Sequence, residues 1–236
     1  MTDQATPIRG LLVGHGRMGR MIESLAANYG IEIVGVVRRD NSADARAWPD
    51  ADVAIDFSTA AAVPENAPRL AERGMSLVIG TTGWQASEPA VRSAIADTAV
   101  GVIAAPNFAV GVTLFTAVAA RAAELLAARG FDIWIHEAHH SAKKDAPSGT
   151  ALSLHRALVA AGATHAIDVS STRAGHIPGT HTIGFDSPAE AITLTHEARD
   201  RTPFARGALE AARWIRGRRG WFTMSDMLNL SDERNS

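Results

Sequence analysis

The chain has no cysteine among its 236 residues. That absence removes disulfides, thiolate nucleophiles and cysteine-ligated zinc together, and with them a secreted scaffold stapled by bridges. There is also little charge imbalance. A formal net charge of −2 lacks the basic excess of a dedicated nucleic-acid binder. The opening Met1-Thr2-Asp3-Gln4 lacks the basic n-region of a secretory signal, which points to the cytoplasm. No internal repeat and no low-complexity linker stand out. Residues 99–120 carry no charge and are long enough to cross a bilayer. Pro106-Asn107 interrupts them between Gly101 and Gly111, and the first part is rich in β-branched residues. The segment therefore reads as strand, turn and helix, with no membrane partner.

What remains is ordinary globular material, 46% apolar and 20% charged, enough for one large domain or two small ones. Ile8 to Val13 is a short apolar run, followed at once by Gly14-His15-Gly16-Arg17-Met18-Gly19. Met18, Met21, Ile22 and Leu25 then recur at helical spacing up to Gly30, and Ile31 to Val37 is a second apolar run. Strand, Gly-x-Gly-x-x-Gly, helix, strand is the context a dinucleotide fingerprint requires. Gly14 permits the tight turn, Gly16 lets a pyrophosphate approach the backbone, and Gly19 lets helix and strand pack closely. Outside that context the same residues would be a glycine-rich turn. After the second strand stands Arg38-Arg39 where an acid commonly holds a ribose hydroxyl. An arginine there suits a 2′-phosphate, so NADPH is favoured, with NADH as the alternative.

Further strands at Val53 to Asp56, Ser76 to Ile79 and Val100 to Ala104 alternate with helices near Val63 to Arg73 and Ser87 to Asp97. This alternation predicts a doubly wound parallel sheet of Rossmann type. Its loops after the strands, Gly80-Thr81-Thr82 and Ala105-Pro106-Asn107-Phe108, lie where such sheets bind ligands. From Val110 the pattern changes. A helix ending at Arg129-Gly130 precedes period-two strands at Phe131 to His136, Val169 to Arg173, His181 to Phe185 and Ile192 to His196. These strands are not interleaved with helices, so a second, α+β domain with a mixed sheet is expected. A last helix runs from Thr202-Pro203 to about Ile215. The arginines at its end, Arg206, Arg213, Arg216, Arg218 and Arg219, read as a solvated face beside the negative pole of the helix.

The densest chemistry lies in His136-Glu-Ala-His139-His140-Ser-Ala-Lys143-Lys144-Asp-Ala-Pro-Ser148-Gly149-Thr150-Ala151. His136 to His140 matches His-Glu-x-x-His, a zinc-hydrolase motif that works only on a helix, where residues four apart share a face. Here the segment continues a strand-period run, and residues four apart on a strand are about 13 Å apart at about 3.3 Å each. No metal site is assigned. Ser148 can cap a helix whose first N–H groups form a carboxylate site. His139, His140, Lys143 and Lys144 offer protons and positive charge. Such a site suits a small dicarboxylate reduced beside a nicotinamide.

The stretch Glu137 to Ala151 closely resembles the signature of the dihydrodipicolinate reductases (4-hydroxy-tetrahydrodipicolinate reductases), Glu-Ala-His-His-x-x-Lys-x-Asp-Ala-Pro-Ser-Gly-Thr-Ala. Asp56-Phe57-Ser58, Gly80-Thr-Thr-Gly83, Asn107-Phe108, Arg173-Ala-Gly175, Gly179-Thr-His181 and Phe204-Ala-Arg-Gly-Ala208 also look like that family's landmarks, in its order. The resemblance implies NAD(P)H-dependent reduction of a cyclic dicarboxylate in the route to diaminopimelate and lysine. It implies His139 as proton donor or acceptor, Lys143 as proton donor and substrate contact, and His140, Gly149 and Thr150 as binders of the substrate carboxylates. It places Gly14, His15, Gly16, Arg17, Met18, Gly19, Gly80, Thr81, Thr82, Ala105, Pro106, Asn107 and Phe108 at the cofactor, and the 2′-phosphate argument adds Arg38. It further implies a homotetramer and three segments: residues 1–108 for the cofactor, 109–216 for substrate and assembly, and 217–236 returning to the cofactor domain. Arg38-Arg39 departs from the acid common in the family. Two other readings compete, a zinc hydrolase using His136 and His140, and an NAD(P)H sensor without catalysis, which would have no need of both His139 and Lys143.

Overall fold

The structure, a computed structural model, describes residues 6–41, 44–163 and 165–230. The opening tetrapeptide read above for a signal lies outside them. The chain forms two units, one from residues up to Ala109 together with those from Thr202 onward, the other Val110–Arg201.

The first unit holds a six-stranded sheet in the order β10-β5-β4-β3-β1-β2. The strands are β1 (Ile8–Val13), β2 (Ile31–Val37), β3 (Val53–Asp56), β4 (Ser76–Ile79), β5 (Gly101–Ala104) and β10 (Gly220–Phe222), and every pairing is parallel. Both faces are covered, so the central strands β3 and β4 are buried along their whole length and are mainly apolar, as suits parallel strands. Leu11, Val13, Ala54, Leu77, Ile79 and Val102 share a core with Val63 and Leu70 of α2 (Val63–Glu72) and Val91 and Ile95 of α3 (Glu88–Ile95). On the other side α1 (Arg17–Ala26) packs on α6 (Thr202–Ile215), which lies against β3, β4 and β5.

The placement of α6 departs from the sequence expectation, which gave residues 109–216 to the second domain. Periodicity shows that a helix has an apolar face but not which sheet the face covers. Ala205, Gly207, Ala208, Ala211 and Ala212 are all buried, and such small residues let α6 come close to the first sheet. The return to this unit therefore begins at Thr202, before residue 217. β10 then pairs with β5, Trp221 opposite Val102. α7 (Met224–Met227) follows with a capping box between Thr223 and Asp226. The arginines at the end of α6 are exposed, and Arg218 stacks 3.9 Å over the Trp214 ring.

The second unit carries a four-stranded mixed sheet, β7-β6-β8-β9. Its strands are β6 (Asp132–His139), β7 (Asp168–Arg173), β8 (Thr180–Asp186) and β9 (Ala191–Glu197). β7 runs parallel to β6, and β8 and β9 are antiparallel. Gly184 faces Trp134, and any Cβ there would overlap the indole. Two helices, α4 (Val110–Leu126) and α5 (Gly149–Ala160), pack together and share a core with Ile133, Ile135, Ile183 and Phe185. The uncharged run 99–120 thus resolves into β5, a turn and α4. With its short 3-10 extension that helix, Val110–Arg129, has the length and apolarity of a membrane span, yet Ala119, Ala123 and Ala127 belong to this core.

Candidate active site

Parallel strands align their carboxyl ends, so the loops after β1, β3, β4 and β5 share one edge of the first sheet. The strand order reverses between β1 and β3, and there Gly14 and Phe57 meet. Gly14 has φ +90°, and a Cβ on it would lie 2.6 Å from the Phe57 carbonyl oxygen. A Cβ on Gly19 would run into the Gly14 carbonyl, whereas one on Gly16 would meet nothing within 4 Å. Gly14 and Gly19 are glycines because the turn is tight, and Gly16 because the space before it is open. Gly16 caps α1 without a side-chain hydrogen bond. A helix N-terminus facing open space beside glycine fits a pyrophosphate.

Arg38 follows β2 on the same edge. Its Nη2 donates to His15 Nδ1 at 3.2 Å, and His15 Nε2 lies 2.7 Å from Glu23. The fingerprint histidine therefore tethers the arginine beside the glycine turn, in keeping with a ribose phosphate. Asp56 lies under the neighbouring loops. Burial raises its pKa, opposed by hydrogen bonds from Ser58 and Thr81. Thr81 Oγ1 donates to Asp56 Oδ1 at 2.8 Å, and a Cβ on Gly80 would strike the Phe57 ring. Thr82 and Pro106 are exposed and Ala105 and Asn107 half-buried, whereas Phe108 is 1% exposed and packs on Phe57 at 6.0 Å. Phe108 is thus a core side chain that can offer a ligand only its backbone.

In the second unit, the strand runs further into the signature than the loop expected from the sequence. β6 continues to His139, and Ile133, Ile135, Glu137 and His139 all point to its buried face. His136 points the other way and pairs with Ser170 at 2.9 Å. The zinc-hydrolase arrangement is thereby absent, because His136 and the Glu137 of its motif lie on opposite faces.

Glu137 is fully buried and accepts at both oxygens. Arg173, the last residue of β7, donates to Oε1 at 2.6 Å and to Oε2 at 3.0 Å. The Ser148 backbone N–H donates to Oε1 at 3.2 Å, and His139 Nδ1 bonds to Oε2. Burial would raise the Glu137 pKa, but the hydrogen bonds from Arg173, Ser171 and His139 and the charge of His139 hold it at about 2. His139 lies below the usual imidazole value because of burial, with Glu137 pushing it up and Lys143 and Arg173 pushing it down. Its Nε2 faces Gly179, where a Cβ would stand 3.2 Å away.

His181, on β8, packs edge-on to His139 at 5.2 Å. Burial first, then the charge of His139, lowers it to about 4, so it is neutral near pH 7. Ser148 caps α5, its Oγ accepting from Ala151 N at 3.1 Å and lying 3.0 Å from His181 Nε2. Among the described residues Glu137, His139 and His181 bring ligand atoms within 4.8 Å of one another. The guanidinium clamped on both carboxylate oxygens opposes a cation there.

Lys143 lies in the loop beyond. Its Nζ donates to both Asp145 oxygens, at 2.8 and 2.9 Å, and an ammonium has three donors. Arg173 also donates to the Asp145 carbonyl at 2.6 Å. The structure thus gathers His139, His140, Lys143, Gly149 and Thr150 at the end of β6 and the start of α5. Glu137, Arg173, Ser148 and His181 join them. Sequence reasoning quoted these four without giving Glu137, Arg173 or His181 a role. The signal for Glu137 was the period-two run it shares with Ile133, Ile135 and His139; Arg173 and His181 come from distant strands.

Residues 8–108 match the family described as dihydrodipicolinate reductase, N-terminus. Residues 111–228 match dihydrodipicolinate reductase, C-terminus. The 4-hydroxy-tetrahydrodipicolinate reductase of Acidiphilium cryptum is 41% identical, over 91% of this chain and 94% of its own. That of Myxococcus xanthus is 38% identical, over 94% and 98%. Among solved structures, a dipicolinate-bound dihydrodipicolinate reductase from a Paenisporosarcina species superposes with a TM-score of 0.78 at 23% identity, covering 92% of this chain and 97% of that one. An engineered D-amino acid dehydrogenase bound to NADP+ reaches 0.55 at 17% identity, over 98% of each chain, a likeness of fold.

Proposed function

The chain belongs to the dihydrodipicolinate reductase family, and on that premise we propose a role for each part of its site. The activity is that of a 4-hydroxy-tetrahydrodipicolinate reductase, the NAD(P)H-dependent formation of tetrahydrodipicolinate in diaminopimelate and lysine biosynthesis. The first unit is the cofactor domain. Gly14 to Gly19 hold the pyrophosphate, Arg38 the 2′-phosphate, and the loops Gly80 to Thr82 and Ala105 to Phe108 the nicotinamide end. The second unit is the substrate domain. Bound NADPH, or NADH, supplies the two electrons as hydride.

The chain's own residues handle the proton and the carboxylates. The positive end of α5 at Gly149 and Thr150 attracts a carboxylate, and His140 helps to hold it. His139 passes a proton through Nε2, because Nδ1 is committed to Glu137. Lys143 uses two donors on Asp145 and turns the third to the substrate. The observation that carries this reading is the meeting of a proton-transferring histidine, a lysine and a helix start at the end of one strand. Assignment to a homotetramer follows from the family resemblance, and assignment to the cytoplasm from the sequence reading. Ile192, 41% exposed on the edge strand β9, is in keeping with an interface there. Light scattering would measure the mass.

The test is a coupled assay that generates the substrate from aspartate semialdehyde and pyruvate and follows NADPH and NADH oxidation separately. His139→Ala and Lys143→Ala are each expected to cut kcat by about a hundredfold or more, the usual worth of a positioned acid or base. Wild-type turnover in both variants would overturn the assignment.

A further inference from the structure

We infer that Glu137 is the positioning residue of this site: one buried carboxylate sets the tautomer of His139 and holds the start of α5 through Ser148, while Arg173 keeps that carboxylate charged and in place. The inference rests on the proton-transfer role proposed above for His139.

The argument begins from hydrogen-bond capacity. An ionised carboxylate only accepts, and each oxygen can take two donors. Arg173 Nη2 and Ser148 N donate to Oε1, and the Ser171 side chain also donates to this carboxylate. Arg173 Nη1 and His139 Nδ1 share Oε2. Because Oε2 can only accept, His139 Nδ1 carries its proton toward Glu137, and in the neutral ring Nε2 holds the lone pair. That nitrogen is the one beside Gly179, where no side chain blocks it. Tautomer and access thus agree on the same atom. The Ser148 bond extends the hold to the carboxylate-binding helix start. Ser148 Oγ, already accepting from Ala151 N, also shares a hydrogen bond with His181 Nε2. The proton site and the carboxylate site thereby share one anchor.

Replacing Glu137 by glutamine keeps the shape and inverts part of the pattern. With its oxygen at the Oε1 position, glutamine still accepts from Arg173 and Ser148, and its NH2 meets one donor, Arg173 Nη1. With its oxygen at the Oε2 position, the NH2 meets two donors, Arg173 Nη2 and the Ser148 N–H. The first orientation has fewer conflicts, and in it the NH2 donates to His139 Nδ1, so the ring is driven to the Nε2–H tautomer. The charged and titratable groups facing His139 are Glu137 on β6, Arg173 on β7, His181 on β8 and Lys143 in the following loop. Glu137 alone among these favours the imidazolium, so its loss moves the His139 limb of the kcat profile to lower pH.

The experiment is 15N NMR of the histidine ring nitrogens in native protein and Glu137→Gln, with His139 assigned by difference against His139→Gln, together with kcat–pH profiles. Expected are an Nδ1–H His139 in the native protein and an Nε2–H ring in Glu137→Gln. In that variant kcat falls at least about tenfold, its His139 limb shifts down, KM for the dicarboxylate rises and KM for NADPH is unchanged. A glutamine variant with the native tautomer and the native limb would overturn the inference, whatever its stability. If Glu137→Gln does not fold, the native protein decides alone: an Nε2–H His139 overturns the inference and an Nδ1–H ring upholds it. Failure of the functional reading shows separately, as no turnover by the native protein whatever its tautomer.

Discussion

At the scale of single residues, the buried histidine His181 makes stability depend on pH. In the unfolded chain it titrates near 6.5, and in the fold it is lowered to about 4. Between these values the unfolded chain binds a proton that the folded protein excludes. The contribution is therefore complete above about pH 6.5 and is lost as pH falls toward 4, with a limit on the order of 3 kcal/mol. Glu137, held at about 2 against 4.5, adds a loss in the same direction but in a more acidic window. Melting curves from about pH 7.5 down to 4.5 should show Tm falling with acid, and His181→Gln should flatten that fall. His139 and His196 are also lowered, so the slope shrinks rather than vanishes. Equal slopes in both proteins would contradict the assignment. Arg38 invites a second single-residue test. Arg38→Ala is expected to raise KM for NADPH about tenfold or more and KM for NADH little, since only the former carries the 2′-phosphate. Equal effects would remove the phosphate argument.

At the scale of elements, α6 shows which of two effects wins at a glycine. Glycine inside a helix costs up to about 1 kcal/mol against alanine. Gly207 nevertheless sits mid-helix, because its Cβ would overlap the Phe108 carbonyl oxygen. That neighbour is backbone and cannot swing aside, so the clash outweighs the propensity. Gly207→Ala is expected to destabilise by about 1–3 kcal/mol, measured by urea unfolding. It should also weaken NADPH binding, since Asn107 and Phe108 would shift; a stabilised variant with native affinity would refute this. β6 makes the complementary case. Its alternation was legible as a half-buried strand, and Glu137 and His139 keep its period, but that two polar side chains would lie on the buried face was not legible. Polar side chains on a buried face are tolerated only once partners are supplied, and Arg173 and Ser148 come from elsewhere in the chain.

At the scale of the whole molecule, the chain crosses from one unit to the other and back, and the first unit is completed by its last stretch. A chain ending at Arg201 lacks the helix that covers one face of the first sheet, and β10 with it. Such a protein is expected to lose cooperative unfolding and NADPH binding, read by circular dichroism and nucleotide fluorescence; retention of both would show that α6 is dispensable. The glycine turn, the strand–helix alternation, the signature and the start of α5 were determined by the sequence alone, because each is a local pattern of sterics, periodicity or capping. The tertiary structure alone decided which sheet α6 covers, that Phe108 is core, and that Glu137 joins Arg173, His139 and Ser148. Those contacts link residues as far as 36 positions apart, and a buried charge finds its partners only when strands are brought side by side.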